Sequence, residues 1–148
     1  PVLCKDFILD PYQVYEARLA GAAAALLIVK MLDDAQLLEL THLIRTLGMT
    51  PLVEIQNEVE LERALAVEPS ILLINNRNLE NLLIDFDTTP RLSGKIPEGI
   101  LKVSASGIEN RTQVEQLRPY CDGFLIGSTL MKEKAERLPE KLRELMTC

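Results

Sequence analysis

Short apolar, β-branched or leucine-rich runs recur along this chain, and nearly every one leads into a polar residue. The runs are Pro1–Cys4, Ala24–Ile28, Pro51–Ile55, Ile71–Asn75, Leu101–Ser104 and Gly123–Ile126, and the polar tips are Lys5, Glu54, Asn75, Ser106 and Ser128. Stretches with helical spacing separate them. Tyr12, Tyr15, Ala17 and Leu19 fill the first stretch. Leu37, Leu38, Leu40, Leu43, Ile44 and Leu47 fill the second, opened by the caps Asp33 and Asp34 and closed by Gly48. Val59, Leu61, Ala64 and Leu65 follow, then Val114 and Leu117 after an Asn110 cap, then Leu138, Leu142 and Met146; Thr88–Leu92 has room for a short helix. Strands alternating with helices predict a mostly parallel sheet with covered faces.

Two parallel architectures compete. An open nucleotide-binding sheet calls for GxGxxG or GxxxxGK after a strand, and neither occurs. A (βα)8 barrel gathers all strand ends at one mouth, where side chains do chemistry. Parity favours the barrel: Leu3 shares a strand face with Lys5, Leu52 with Glu54 and Leu73 with Asn75, so each polar tip extends an inward column. Eight βα units take about 250 residues. The chain has 148 and supplies about six units, with no Ser- or Pro-rich linker between them. The expectation is one partial TIM-barrel domain over residues 1–148, lacking its front. PVLCKDF then reads as a buried internal strand exposed by truncation, with unpaired edges at Pro1–Cys4 and Gly123–Ile126 that invite self-association or a complementing fragment.

Composition narrows the function classes. A hydrophobic share of 47% fits a globular core, and the net charge of −6 without a basic block argues against nucleic acid. The apolar run Ala22 to Val29 is too short for a bilayer span of about 20 residues, no leader pattern opens the chain, and the expected address is the cytosol. Cys4, Cys121 and Cys148 lack CxxC spacing and read as reduced structural thiols, with no metal site. His42 reads as a surface or half-buried helix residue, and Lys30 as a solvated lysine.

Two glycine–serine junctions follow the last two runs, Ser106-Gly107 and Gly127-Ser128. Glycine lets a backbone approach an anion, so the pair predicts a phosphate cradle; singly, each is a capped turn. Lys5 and Glu54 are either an acid–base pair or an ion pair at the rim.

PVLCKDFILDPYQVYEA, LLIVKMLDD, PLVEIQNEVELERAL, INNRNL, SASGI and FLIGSTLM together resemble, in order, segments of indole-3-glycerol-phosphate synthase. That family is a (βα)8 lyase of tryptophan biosynthesis. The resemblance implies conversion of 1-(2-carboxyphenylamino)-1-deoxyribulose 5-phosphate to indole-3-glycerol phosphate, carbon dioxide and water, without cofactor or metal. It implies Lys5 as general acid, Glu54 as general base, and Asn75 facing the substrate. Phe7, Leu26 and Arg77 are implied as substrate contacts, and Ser106, Gly107, Gly127 and Ser128 as the phosphate cradle. The chain departs from the family at Ala105, where SESGI is usual, and at Ala23, where the GAD turn has aspartate. No segment corresponds to the family's first strand, with its glutamate and second lysine. The alternative reading is an inactive remnant that keeps phosphate-ligand or protein binding. Phosphoribosylanthranilate isomerase, another phosphate-binding barrel, would want a Cys/Asp pair at the mouth, and parity turns Cys4 toward the helices.

Overall fold

The computed structural model describes residues 1–146; Cys148 lies outside the described residues. Six strands form one sheet in chain order: β1 (Leu3–Cys4), β2 (Ala24–Ile28), β3 (Thr50–Ile55), β4 (Ile71–Asn75), β5 (Leu101–Ala105) and β6 (Gly123–Leu125). Every neighbouring pair is parallel. Helices occupy the crossovers: α1 (Pro11–Leu19), α2 (Asp34–Thr46), α3 (Glu58–Leu65), α4 (Thr88–Ser93), α5 (Arg111–Leu117) and, after β6, α6 (Ser128–Met131) and α7 (Leu138–Met146). The architecture is an α/β, incomplete barrel of the TIM type.

Local chemistry sets the helix starts. Asp10, Asp33 and Asn110 each accept from a backbone N–H of the first turn, while Gln13, Gln36 and Gln113 reach back to the cap's own N–H. These reciprocal capping boxes satisfy amides that a helix start leaves without partners.

Alternation along the strands divides the core in two. Ala25, Leu27, Val53, Ile55, Leu72 and Ile74 face the helices, where they pack with Val14, Leu37, Leu40, Ile44, Leu61 and Leu92. Leu26, Ile28, Leu52, Leu73 and Ala105 face the other way and form the inner cluster, joined by half-buried Leu3, Val103 and Leu125. Inward parity therefore holds for Leu3, Leu52 and Leu73, and Cys4 packs against the helix-side cluster. Described helices are too short or too polar to cross a membrane.

Several boundaries differ from the sequence reading. The first strand shrinks to Leu3–Cys4, and Val2 is 68% exposed, because β1 has a neighbour on one side alone. The strand is an edge, and not buried as its apolar letters suggest. On α1 the buried face is Val14 and Ala17, while Tyr12, Tyr15 and Leu19 are exposed on the other side of the helix. Both residue sets have helical spacing, so periodicity alone does not say which one meets the sheet. The last two strands stop at Ala105 and Leu125, leaving Ser106 in the turn beyond β5 and Ser128 at the first position of α6.

Leu27 has no exposed surface and sits in the helix-side cluster, whereas Leu38 on α2 is 59% exposed. Leu27→Ala is expected to cost about 2–5 kcal/mol of stability, and Leu38→Ala under about 0.5 kcal/mol, read from urea midpoints. Equal shifts would contradict this placement of the core.

Candidate active site at the strand carboxyl ends

Glu54, on the inner face of β3, is 2% exposed. Asn75 at the end of β4 donates through Nδ2 to Glu54 Oε1 at 2.7 Å, and its own Oδ1 accepts the backbone N–H of Arg77 at 3.0 Å. An amide has one donor end and one acceptor end, so these two bonds fix which way Asn75 points. Burial pushes the Glu54 carboxyl above its ordinary value; the Asn75 bond and the Lys5 charge pull it partly back, and the Glu60 charge adds to the rise. A carboxylate raised by burial is a stronger proton acceptor than a solvated one.

Lys5 follows β1 directly and lines a cavity of about 440 Å³ with Arg77, Ser106, Gly107, Gly127, Ser128 and Lys132. Lys5 is exposed, not dehydrated as a lysine within a closed mouth would be, because β1 is an edge strand. Its charge nevertheless acts on Glu54. Arg77 Nη1 donates to the Leu82 carbonyl at 3.2 Å, and Arg77 bridges Ile84, closing the loop between β4 and α4 on itself.

The two glycine–serine turns meet in this cavity. Among the described residues, no acceptor engages the backbone N–H of Ser106, Gly107, Gly127 or Ser128. Four free amides beside three cationic side chains make a place for a multiply charged oxyanion. Gly107 sits at φ +80°, and a Cβ there would come within 2.5 Å of Ile84 Cγ2, so only glycine fits the turn.

Phe7 is 55% exposed on the loop after β1, with its carbonyl accepting from Gln13 Nε2. Leu26, 1% exposed, lies in the inner cluster beneath the mouth, in register with Leu52. Ala105 is buried in the same cluster, in register with Asn75 on one side and Leu125 on the other. It puts a methyl group where a longer side chain would reach the mouth. Lys30 pairs with Glu80 at 2.7 Å with its side chain 29% exposed, so it is an ion-paired loop anchor and not a freely solvated lysine. His42 is exposed on α2. Among the described residues, no three His, Cys, Asp or Glu side chains group as a metal would require.

Sequence reasoning passed over Asn76, Thr89 and Ser104, which are 1%, 0% and 0% exposed. They form a polar network between β4, α4 and β5. The doubled asparagine in INNRNL was the available signal, since two neighbouring strand residues face opposite sides of a sheet.

The family model described as indole-3-glycerol phosphate synthase matches residues 1–145. Over 134 residues the chain is 48% identical to the tryptophan biosynthesis protein TrpCF of Buchnera aphidicola subsp. Baizongia pistaciae, covering 90% of this chain and 29% of that protein. It is 47% identical over 133 residues to an indole-3-glycerol phosphate synthase of Leuconostoc mesenteroides, covering 89% of this chain and 51% of the relative. The chain thus spans under a third of the first relative and about half of the second. A solved structure described as native KDPGal overlays with a TM-score of 0.71 at 18% identity, across 93% of this chain and 63% of that one, which bears on fold alone. Match to the family model over nearly all of its length places the chain in the indole-3-glycerol phosphate synthase family.

Proposed function

We propose that this chain carries the acid, the base and the phosphate cradle of an indole-3-glycerol-phosphate synthase. The observation behind this reading is the convergence of Lys5 and four unbonded amides on one cavity, with buried Glu54 held by Asn75 nearby. The 5-phosphate of 1-(2-carboxyphenylamino)-1-deoxyribulose 5-phosphate seats on the Ser106, Gly107, Gly127 and Ser128 amides. That places the ribulose carbonyl toward Lys5, whose ammonium delivers a proton to the carbonyl oxygen as the aromatic carbon attacks. A carbon–carbon bond forms, the ring carboxylate leaves as carbon dioxide, and loss of the new hydroxyl as water completes the indole. Glu54 accepts the proton released in that elimination. Asn75 keeps Glu54 oriented, Arg77 faces the phosphate side of the substrate, and Phe7 and Leu26 supply apolar contact to its ring.

The phosphate half of the proposal is tested by titrating glycerol 3-phosphate into labelled protein. Amide resonances of Ser106, Gly107, Gly127 and Ser128 are expected to shift together; four unmoved resonances would sink the cradle.

Glu54 gives a pH signature. Its folded pKa lies above the ordinary 4.5, so the unfolded chain loses this proton first as pH rises. Stability therefore falls as pH climbs from about the unfolded value through the raised folded one. Glu54→Gln keeps an acceptor for Asn75 Nδ2 and removes the buried charge. The variant is expected to melt at or above the unaltered protein at pH 8, with a flatter pH dependence of Tm between pH 4 and 8. A lower melting point at pH 8 would mean that the carboxylate is a net stabiliser.

The parts of a catalytic constellation act as a unit. The chain by itself is expected to show no measurable indole-3-glycerol phosphate formation, and Ala105→Glu to leave that unchanged, since it supplies one carboxylate and no partner for β1. The unpaired edges of β1 and β6 are the proposed docking lines for a complementing fragment or a second copy. Sedimentation at micromolar concentration is expected to show association. Turnover near that of a whole family member from a sedimenting monomer would overturn this account.

A further inference from the structure

Ser106 adopts φ +72°, a left-handed conformation that a non-glycine residue holds only when its surroundings enforce it. The next residue, Gly107, is also left-handed at φ +80°. Two consecutive residues of this kind carry two of the four cradle amides. Something must hold Ser106 there, and the side chain in contact with its backbone is Asn76.

Asn76 Nδ2 donates to the Ser106 carbonyl at 3.3 Å and to Ser104 Oγ at 3.1 Å. Thr89 Oγ1 donates to Asn76 Oδ1 at 2.7 Å, and Thr89 Oγ1 lies 2.8 Å from Ser104 Oγ. The direction of this ring follows from proton counting. Thr89 has one hydroxyl proton and gives it to Asn76, so Ser104 donates to Thr89 and accepts from Asn76. Each hydroxyl gives one bond and receives one, and the amide can face only one way round. A carbonyl oxygen cannot donate, so the flipped amide would set Oδ1 against the Ser106 carbonyl and lose that bond, even though the two hydroxyls could reverse to suit it. The Asn76 backbone is fixed as well: its N–H donates to the Ala105 carbonyl at 2.9 Å, and its carbonyl accepts from Asp85 at 2.8 Å.

We infer that Asn76 is a positioning residue for the cradle, locked by Ser104 and Thr89 and holding Ser106 in the left-handed turn that frees the Ser106 and Gly107 amides. This inference rests on the phosphate reading above for its ligand, and on the turn geometry alone for its conformational half. Asn76 lies on the helix side of β4, as its partners Ser104 and Thr89 do, and acts through the Ser106 carbonyl.

A double-mutant cycle with inorganic phosphate tests it. Asn76→Ala is expected to weaken phosphate binding by about tenfold, the scale set by one left-handed residue losing its restraint. In a Ser106→Gly background the same substitution is expected to cost less than about threefold, because glycine holds the turn without a side-chain penalty. Thr89→Val, a near-isosteric change that removes one hydroxyl from the ring, is the second variant should Asn76→Ala fold poorly, and is expected to show the same background dependence. Equal losses in both backgrounds would reduce Asn76 to general packing and overturn the inference, as would no loss in either.

If the unaltered chain binds no phosphate, the cradle reading falls by itself, and the turn is then read without ligand. Residual dipolar couplings of the Ser106 and Gly107 N–H vectors are expected to change in Asn76→Ala while those of β2 and β3 stay put. Unchanged couplings at Ser106 would overturn the inference whatever the phosphate result.

Discussion

Two adjacent asparagines at the end of β4 hold the functional end of this half-barrel together. Asn75 turns inward and fixes Glu54; Asn76 turns outward and fixes Ser104, Thr89 and the Ser106 carbonyl. Strand alternation makes that division unavoidable, because consecutive residues leave opposite faces of a sheet. The inner asparagine serves a buried carboxylate. The outer one bonds the carbonyl of the left-handed Ser106. Both depend on the β4–β5 register, in which Ile74 opposes Ser104 and Asn75 opposes Ala105. A one-residue slip would exchange the two faces and undo both sets of contacts.

The loop between β4 and α4 extends this arrangement. Arg77 bridges Ile84, and Ile84 together with Phe86 packs over Gly107. The Ser106-Gly107 turn is thus held by the Asn76 amide at the Ser106 carbonyl and by apolar side chains against its glycine. Glu58 anchors the far end of the same segment by pairing with both Arg91 and Lys95, which hold its carboxyl near pKa 2. These outer pairs are solvent-screened and serve chiefly to fix where α4 lies relative to α3.

The alternation of strand and helix, the inward parity of Leu3, Leu52 and Leu73, and the caps Asp33 and Asn110 were legible in the sequence because each is a local pattern with a local cause. The polar tips Lys5, Glu54 and Asn75 were legible for the same reason. What sequence could not supply was anything set by a neighbour's presence or absence. Tyr12, Tyr15 and Leu19 have the spacing of a buried stripe, yet Val14 and Ala17 took the sheet-facing side. Lys5 has the setting of a dehydrated lysine under a barrel mouth, yet an open edge leaves it exposed. Asn76 and Thr89 look like ordinary polar residues, and only the meeting of β4, α4 and β5 turns them into a closed ring.

The exposure of Lys5 bears on how its charge reaches Glu54. Ala105 contributes no charge to the mouth, so Glu54 is governed by its own burial, by Asn75, by the field of Lys5 and by the Glu60 charge. Of these, burial and Asn75 are set within the sheet, by contacts of β3 and β4 with their neighbours. The Lys5 contribution is different, because an ammonium in water is screened and its pull on Glu54 is weakened accordingly. The Glu54 carboxyl is therefore set within the interior of the half-barrel, whereas the strength of its link to Lys5 is set at an edge.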